Sequence, residues 1–237
     1  MQKKTGLFDR PFRTYRRLDY DRRLLPNPHL AVLEPEGVDL ETAVESTGLT
    51  IGYPAWNLLY YTLFCSPRPN PTVYGEPALP RGNYVVVETG TNFGVSTIVM
   101  AQALKDLGLE GKVRTVDFSE QAVETAKRNV EDAGLSDYVE FNLEDSLAFL
   151  SRVAGEVERF DFVFLDDNHE TGHVVKELDI ICPKMAPRTG KIYFDNTSGR
   201  GVSGALKHLK ETYGGDLVHF PNCSLSPPGN AIWQPGS

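Results

Sequence analysis

The chain has 237 residues, 41% of them hydrophobic and 24% charged, enough for a full α/β core and ordinary for a globular protein. Its net charge of −8 excludes the overall balance of a nucleic-acid binder, and no apolar run reaches the length of a membrane span or a signal core, so a cytoplasmic location is expected. Cys65, Cys182 and Cys223 are odd in number and lack a Cys-x-x-Cys spacing, which excludes a disulfide framework and points to thiols kept reduced.

Charge is uneven along the chain. Residues 1–23 hold eight basic residues against three acidic ones, a local +5, so the remainder carries −13. Such an arm reads as a solvated segment packing on an acidic body, with a basic lid or anion contact as the alternative. Val38–Thr47 has the pattern of a short helix. Tyr53–Phe64 predicts a longer one, with Pro54 in its first turn and Trp56, Leu59, Tyr60 and Leu63 along one face, as core or as a subunit contact. Five prolines between Ser66 and Arg81 (Pro67, Pro69, Pro71, Pro77 and Pro80) forbid regular structure and mark a linker or lid. A boundary near Gly82 therefore separates an N-terminal extension (1–82) from the main domain (83–237).

The run Tyr84–Val99 is the most specific feature. Tyr84–Val87 is β-branched and aromatic, the pattern of a strand buried on both faces, and Glu88 is expected where it ends. Gly90 and Gly94 bracket Thr91, Asn92 and Phe93, and from Val95 the pattern turns helical. A glycine turn feeding a helix lets a ligand approach the backbone and its free N–H groups. The Gly-x-Gly-x-x-Gly of a dinucleotide fold is absent, and Asn92 stands where a further glycine would, being one of the few residues that tolerate a left-handed backbone. Glu88 would repel a phosphate and suits a cationic group such as an amine or sulfonium.

Beyond it the elements alternate. Strands are expected at Lys112–Asp117, Tyr138–Asn142, Phe160–Leu165 and Lys191–Phe194. Helices are expected after Ser119 as N-cap, near Ser146–Val153, over Thr171–Met185 with its end disturbed by Pro183, and over Val202–Tyr213. Two closing strands, Leu217–Pro221 and Ala231–Gln234, have no room between them for a crossover helix, so the last must pair antiparallel. Alternation of this kind builds a parallel sheet covered by helices on both faces, with ligands bound beyond the C-terminal strand ends.

Candidate site residues fall at those ends. Asp117, 27 residues after Gly90, is placed to accept ribose hydroxyls, and Asp145 follows the third strand; helix capping is the alternative for each. Ser96 sits in a first helical turn, in reach of a carboxylate. Asp166, Asp195 and Asn196 end two further strands and offer hard oxygen ligands that suit Mg²⁺ better than zinc, with Asp167 a competing ligand and turn formation the alternative. His169, three residues past Asp166, is the candidate general base or else a histidine beside the site; His173 is expected to face solvent.

Glu88-Thr-Gly90-Thr-Asn-Phe-Gly94-Val-Ser96 resembles the first motif of class I S-adenosylmethionine-dependent methyltransferases. Its form is similar to the metal-dependent O-methyltransferases of the catechol and caffeoyl-CoA type, and to the antibiotic-tailoring group of sugar O-methyltransferases and cephalosporin-hydroxylase-like proteins. The resemblance covers Tyr84 to about Trp233. It implies a Rossmann-like, doubly wound, mostly parallel seven-stranded sheet with the last strand reversed, here carrying an N-terminal helical extension.

It also implies S-adenosylmethionine as cofactor near Glu88, Gly90, Gly94, Ser96, Asp117 and Asp145, and Mg²⁺ or a similar divalent cation on Asp166, Asp195 and Asn196. The implied acceptor is a hydroxyl of a small molecule. Asp166-x-x-His169 resembles the tailoring enzymes more than the catechol type, which favours a sugar or polyketide-type metabolite over a catechol. The Asn/Asp-Pro-Pro-aromatic motif of amino-group methyltransferases is absent. Rival readings are an NAD-linked oxidoreductase on a similar sheet, an RNA-binding methyltransferase using the basic arm, and a non-catalytic interaction protein that keeps the fold. Acceptor specificity is expected from residues 1–82 and the loop near Asn222–Gly229, and a homodimer through the N-terminal region is one assembly consistent with that extension.

Overall fold

The computed structural model of the chain describes residues 53–67, 82–221 and 229–236. The basic arm, the Val38–Thr47 segment, most of the proline-rich stretch, Cys223 and the 222–228 loop lie outside the described residues. Seven strands form one sheet in the order β3-β2-β1-β4-β5-β7-β6. They are β1 Tyr84–Thr89, β2 Gly111–Asp117, β3 Val139–Leu143, β4 Phe162–Leu165, β5 Lys191–Phe194, β6 Asp216–Phe220 and β7 Asn230–Gln234. All neighbouring pairs run parallel except those of β7, which is antiparallel to both β5 and β6. The reversed last strand follows from the connection too short to cross over.

The helices are α1 Tyr53–Cys65, α2 Val95–Leu107, α3 Glu120–Asp132, α4 Ser146–Glu156, α5 Thr171–Ile181 and α6 Arg200–Tyr213. Strand parity divides the core in two. Tyr84 and Val86 of β1, with Val113, Phe162, Phe164 and Tyr193, pack under α1 and α2. Val85 and Val87, with Val163, Leu165, Ile192 and Phe194, pack under α4, α5 and α6. Ala55, Trp56, Leu59, Tyr60 and Leu63 of α1 are buried, and the Tyr60 hydroxyl donates to Asp106 Oδ2 of α2 at 2.7 Å. The aromatic stripe of this helix is thus core.

Two boundaries differ from the expected ones. The fourth strand begins at Phe162 rather than Phe160, because the Asp161 carboxylate is turned to the backbone N–H of Val85 (2.9 Å) and to Arg159 (3.0 Å), while Phe160 bridges separately to Met185. Helix α5 stops at Ile181 and tightens to a 3₁₀ turn over Cys182–Lys184, since Pro183 lacks the N–H that an α-helix requires. Among the described residues no helix is long and apolar enough to cross a membrane.

Candidate active site

A cleft of about 670 Å³ opens at the C-terminal ends of β1, β2, β4 and β5. Its floor begins at the turn after β1. Gly90 (φ +85°) lies so close to β4 that a Cβ would stand 2.4 Å from the Asp166 carbonyl oxygen, so only glycine fits there. Asn92 adopts φ 47°, the left-handed conformation expected of it, and Gly94 caps α2 at φ +81° without a side-chain hydrogen bond.

Asp117 closes β2 at the cleft wall. Its Oδ2 accepts from the Asn92 N–H (2.9 Å) and its Oδ1 from the Ser119 N–H (2.8 Å), which fixes the carboxylate while a second lone pair remains on each oxygen. Asp145 lines the same cleft and also N-caps α4, with Oδ1 accepting from the Ala148 N–H at 3.0 Å. Capping and cleft-lining thus coexist at this residue.

Asp166, His169, Asp195 and Asn196 converge on the other side. Asn196 Nδ2 lies 3.0 Å from Asp166 Oδ1 and 2.8 Å from His169 Nε2, and His169 Nε2 lies 3.5 Å from the same Asp166 oxygen. Asp195 takes its hydrogen bonds on Oδ1, from the Asn196 N–H (2.8 Å) and from Asn230 Nδ2 (2.6 Å). Burial raises the pKa of both acids, and the Asp166 charge helps to push Asp195 up to about 7. The hydrogen bond to Asp166 raises that of His169. Two acids and an amide crowded this closely form a hard donor set that fits a small divalent cation. With the amide in this orientation its NH₂ faces Asp166; ligation by Asn196 requires the amide turned to bring Oδ1 around.

Glu88 departs from its expected position. It lies within β1, is fully buried, and accepts hydrogen bonds from the hydroxyls of Ser96 and Thr97 on α2. Burial pushes its pKa up to about 7, against the lowering effect of those hydroxyls. Glu88, Gly94 and Ser96 therefore shape the start of α2 from beneath, whereas Gly90, Asp117 and Asp145 line the cleft itself.

His173 corrects a second expectation. It does not face solvent: its side chain is 17% exposed, and Nε2 lies 3.0 Å from Ser146 Oγ and 3.3 Å from Asp167 Oδ2. Residues that sequence reasoning passed over also belong here. Phe118, 86% exposed, stands at the cleft rim, signalled only by its place after Asp117. Asn168 lines the cleft, Asn230 orients Asp195 from β7, and Glu177 lies buried on α5 one turn past His173. An acid between Val174 and Leu178 on an apolar helix face was the available signal for Glu177.

The sequence model of the methyltransferase domain family matches residues 87–197. The chain is 33% identical over 118 residues to a catechol O-methyltransferase of Mycobacterium tuberculosis, a stretch covering 49% of this chain and 50% of that protein. It is 29% identical over 104 residues to a rhamnosyl O-methyltransferase of Mycobacterium bovis, covering 43% and 41%. The chain spans about half the length of the curated relatives it matches.

Among solved structures, an O-methyltransferase from Bacillus cereus in complex with SAH superposes with a TM-score of 0.65 at 21% identity, over 93% of this chain and 98% of that one. The O-methyltransferase TomG from Streptomyces achromogenes, involved in tomaymycin synthesis and in complex with SAM, does so with a TM-score of 0.67 at 16% identity, over 98% and 100%. At such identities these two speak for the fold. The family match begins inside β1 and ends just past Asn196, so the stretch that is similar to the methyltransferase domain family contains every strand end that lines the cleft.

Proposed function

We propose that the protein transfers a methyl group from S-adenosylmethionine to a hydroxyl of a small molecule, in a reaction that depends on a divalent metal. The observation that carries this reading is the division of one cleft into two halves. Asp117 and Asp145 stand on the β2 and β3 side, and Asp166, His169, Asp195 and Asn196 on the β4 and β5 side. The catechol and rhamnosyl relatives support a hydroxyl acceptor.

In this reading Asp117 accepts the ribose hydroxyls, held ready by the two backbone N–H groups that bind it. Asp145 lies near the adenine amine. The turn Gly90–Gly94 lets the methionine portion approach the backbone, and the Glu88–Ser96–Thr97 bonds hold that turn in register with α2. Asp166, Asp195 and Asn196 would hold the cation, whose chemistry there is to polarise and orient an acceptor hydroxyl. His169 receives the proton from that hydroxyl and passes it to solvent at its exposed edge. Alignment of oxygen, methyl carbon and sulfur is the main task, and positioning of this kind contributes roughly 7–11 kcal/mol.

The rhamnosyl relative and the Asp166-x-x-His169 spacing favour a sugar or polyketide-type hydroxyl, with a catechol-like phenol as the alternative. Residues 1–82 are assigned to the acceptor side as extension or lid, with a cytoplasmic location and a homodimer through that region as parts of the same proposal. The test is transfer of labelled methyl to a panel of glycosides, polyketides and catechols, with Mg²⁺ or with chelator. Transfer that chelation abolishes supports the reading; undiminished transfer in chelator removes the metal from it, and cofactor binding without transfer to any hydroxyl removes the enzyme.

A further inference from the structure

Beside the metal donors of the cleft lies a second cluster that the proposed reaction does not use. It is built on the opposite face of β1 from Glu88. Thr89 points to the α5 side, where its hydroxyl reaches Asp167 Oδ1 at 3.4 Å. Asp167 follows the end of β4 by two residues, and His173 and Glu177 stand four apart on α5, hence on one helix face. His173 Nε2 lies 3.3 Å from Asp167 Oδ2 and 4.0 Å from Glu177 Oε1. One ligand atom from each of the three residues falls within 4.8 Å of the others.

Glu177 is the decisive member. It is 0% exposed, and neither of its oxygens has a hydrogen-bond partner. Thr89 and Asp167 are its nearest polar neighbours. A carboxylate stripped of water, unpartnered and set beside a second acid is costly unless a positive charge joins it. A proton on Glu177 would remove its charge and give it one bond, to the neighbouring Asp167 carboxylate, whereas a cation would engage Glu177, Asp167 and His173 together.

We propose that Asp167, His173 and Glu177 form a second divalent-cation site, distinct from Asp166, Asp195 and Asn196, that takes a transition ion such as Zn²⁺ or Co²⁺. Ligand atoms about 2.0–2.2 Å from one ion lie roughly 3–4 Å from each other, as the two measured separations do. One imidazole nitrogen with two carboxylates suits such ions, whereas Mg²⁺ prefers oxygen alone. Ser146 Oγ, 3.0 Å from His173 Nε2, stands in reach of a further coordination position. Asp167 and His173 line the cleft, so the ion has a path in, while Glu177 closes the site from within. The site stands independently of the methyl-transfer reading.

The test is titration of the tag-free full chain with Co²⁺ in excess Mg²⁺, which occupies the oxygen-only site, following the visible Co²⁺ bands and the stoichiometry by calorimetry. One equivalent of Co²⁺ that Mg²⁺ does not displace is expected, retained in Asp195→Ala and weakened at least tenfold in His173→Asn and Glu177→Gln. Failure of the wild type to bind Co²⁺ under excess Mg²⁺ overturns the proposal. So does wild-type affinity in the His173 and Glu177 variants, or loss of the site in Asp195→Ala. Should the α5 variants not fold, NMR of the wild type decides: paramagnetically shifted ring protons from His173 support the site, and shifts from His169 alone refute it.

Discussion

Among the described residues two glutamates are buried completely, on opposite faces of the same sheet, and their surroundings differ. Glu88 points under α2 and is closed off by two hydroxyls, Ser96 and Thr97. Glu177 points from α5 toward the other face, and neither oxygen has a hydrogen-bond partner. The same side chain thus serves two ends. Where the fold supplies donors, a buried acid is a fastening, here between β1 and the start of α2. Where it supplies none, and another acid stands alongside, the acid is available to a ligand.

The largest expected effect sets the scale for both. Replacing Asp195 by Ala should lower turnover by about a thousandfold, roughly 4 kcal/mol of lost transition-state stabilisation, while S-adenosylhomocysteine affinity stays nearly unchanged. Steady-state kinetics beside calorimetric titration would check this; metal-dependent activity near wild type in this variant would contradict the assignment.

Glu88→Ala sharpens the comparison next. It leaves two buried hydroxyls without an acceptor and a void beneath the turn, so urea unfolding should report a loss of about 2–4 kcal/mol. Glu177→Gln, tested free of metal, should by contrast leave stability unchanged or raise it by about 1 kcal/mol, because burial already disfavours the charged carboxylate and a neutral amide of the same shape carries no charge to desolvate. Equal losses for Glu88→Ala and Glu177→Gln would erase the distinction.

The distinction has a pH signature. The folded chain holds protons on Glu88 and Asp195 up to about pH 7, well above ordinary carboxyl values near 4, and burial also raises Asp166 and Glu177. Between those limits the folded state binds more protons than the unfolded state, so stability falls as pH rises. Metal-free protein should lose stability from pH 5 to pH 7.5, and Glu88→Gln should flatten part of that slope. A profile that rises over this range would contradict the burial of these acids. A small loss, about 1 kcal/mol, is expected for Tyr60→Phe, from the lost bond between α1 and Asp106.

Much of this architecture was legible in the chain. Apolar runs rich in β-branched and aromatic residues, ending in Asp117, Leu165 and Phe194, marked the strands, and the short link before β7 marked its reversal. Asn92 announced its left-handed turn, because asparagine there replaces glycine at small cost. The acids at the strand ends followed from the rule that a parallel sheet gathers ligands at one edge.

What stayed hidden depends on which face of a strand or helix meets which neighbour. Glu88 was expected at the mouth of the cleft, yet its parity with Val86 sends it under α2. His173 was expected in solvent, but α5 sets it against Ser146 of α4 and Asp167. Asp161 shortened β4 by bonding to a backbone group 76 residues away, a contact no local pattern encodes.

The measurement that bears most directly on the central claim is a calorimetric titration with S-adenosylhomocysteine in magnesium buffer, with NAD as the control. The cleft geometry predicts micromolar binding of S-adenosylhomocysteine alone, weakened in Asp117→Ala. Absence of binding, or preference for NAD, would contradict the cofactor assignment and with it the methyl-transfer reading.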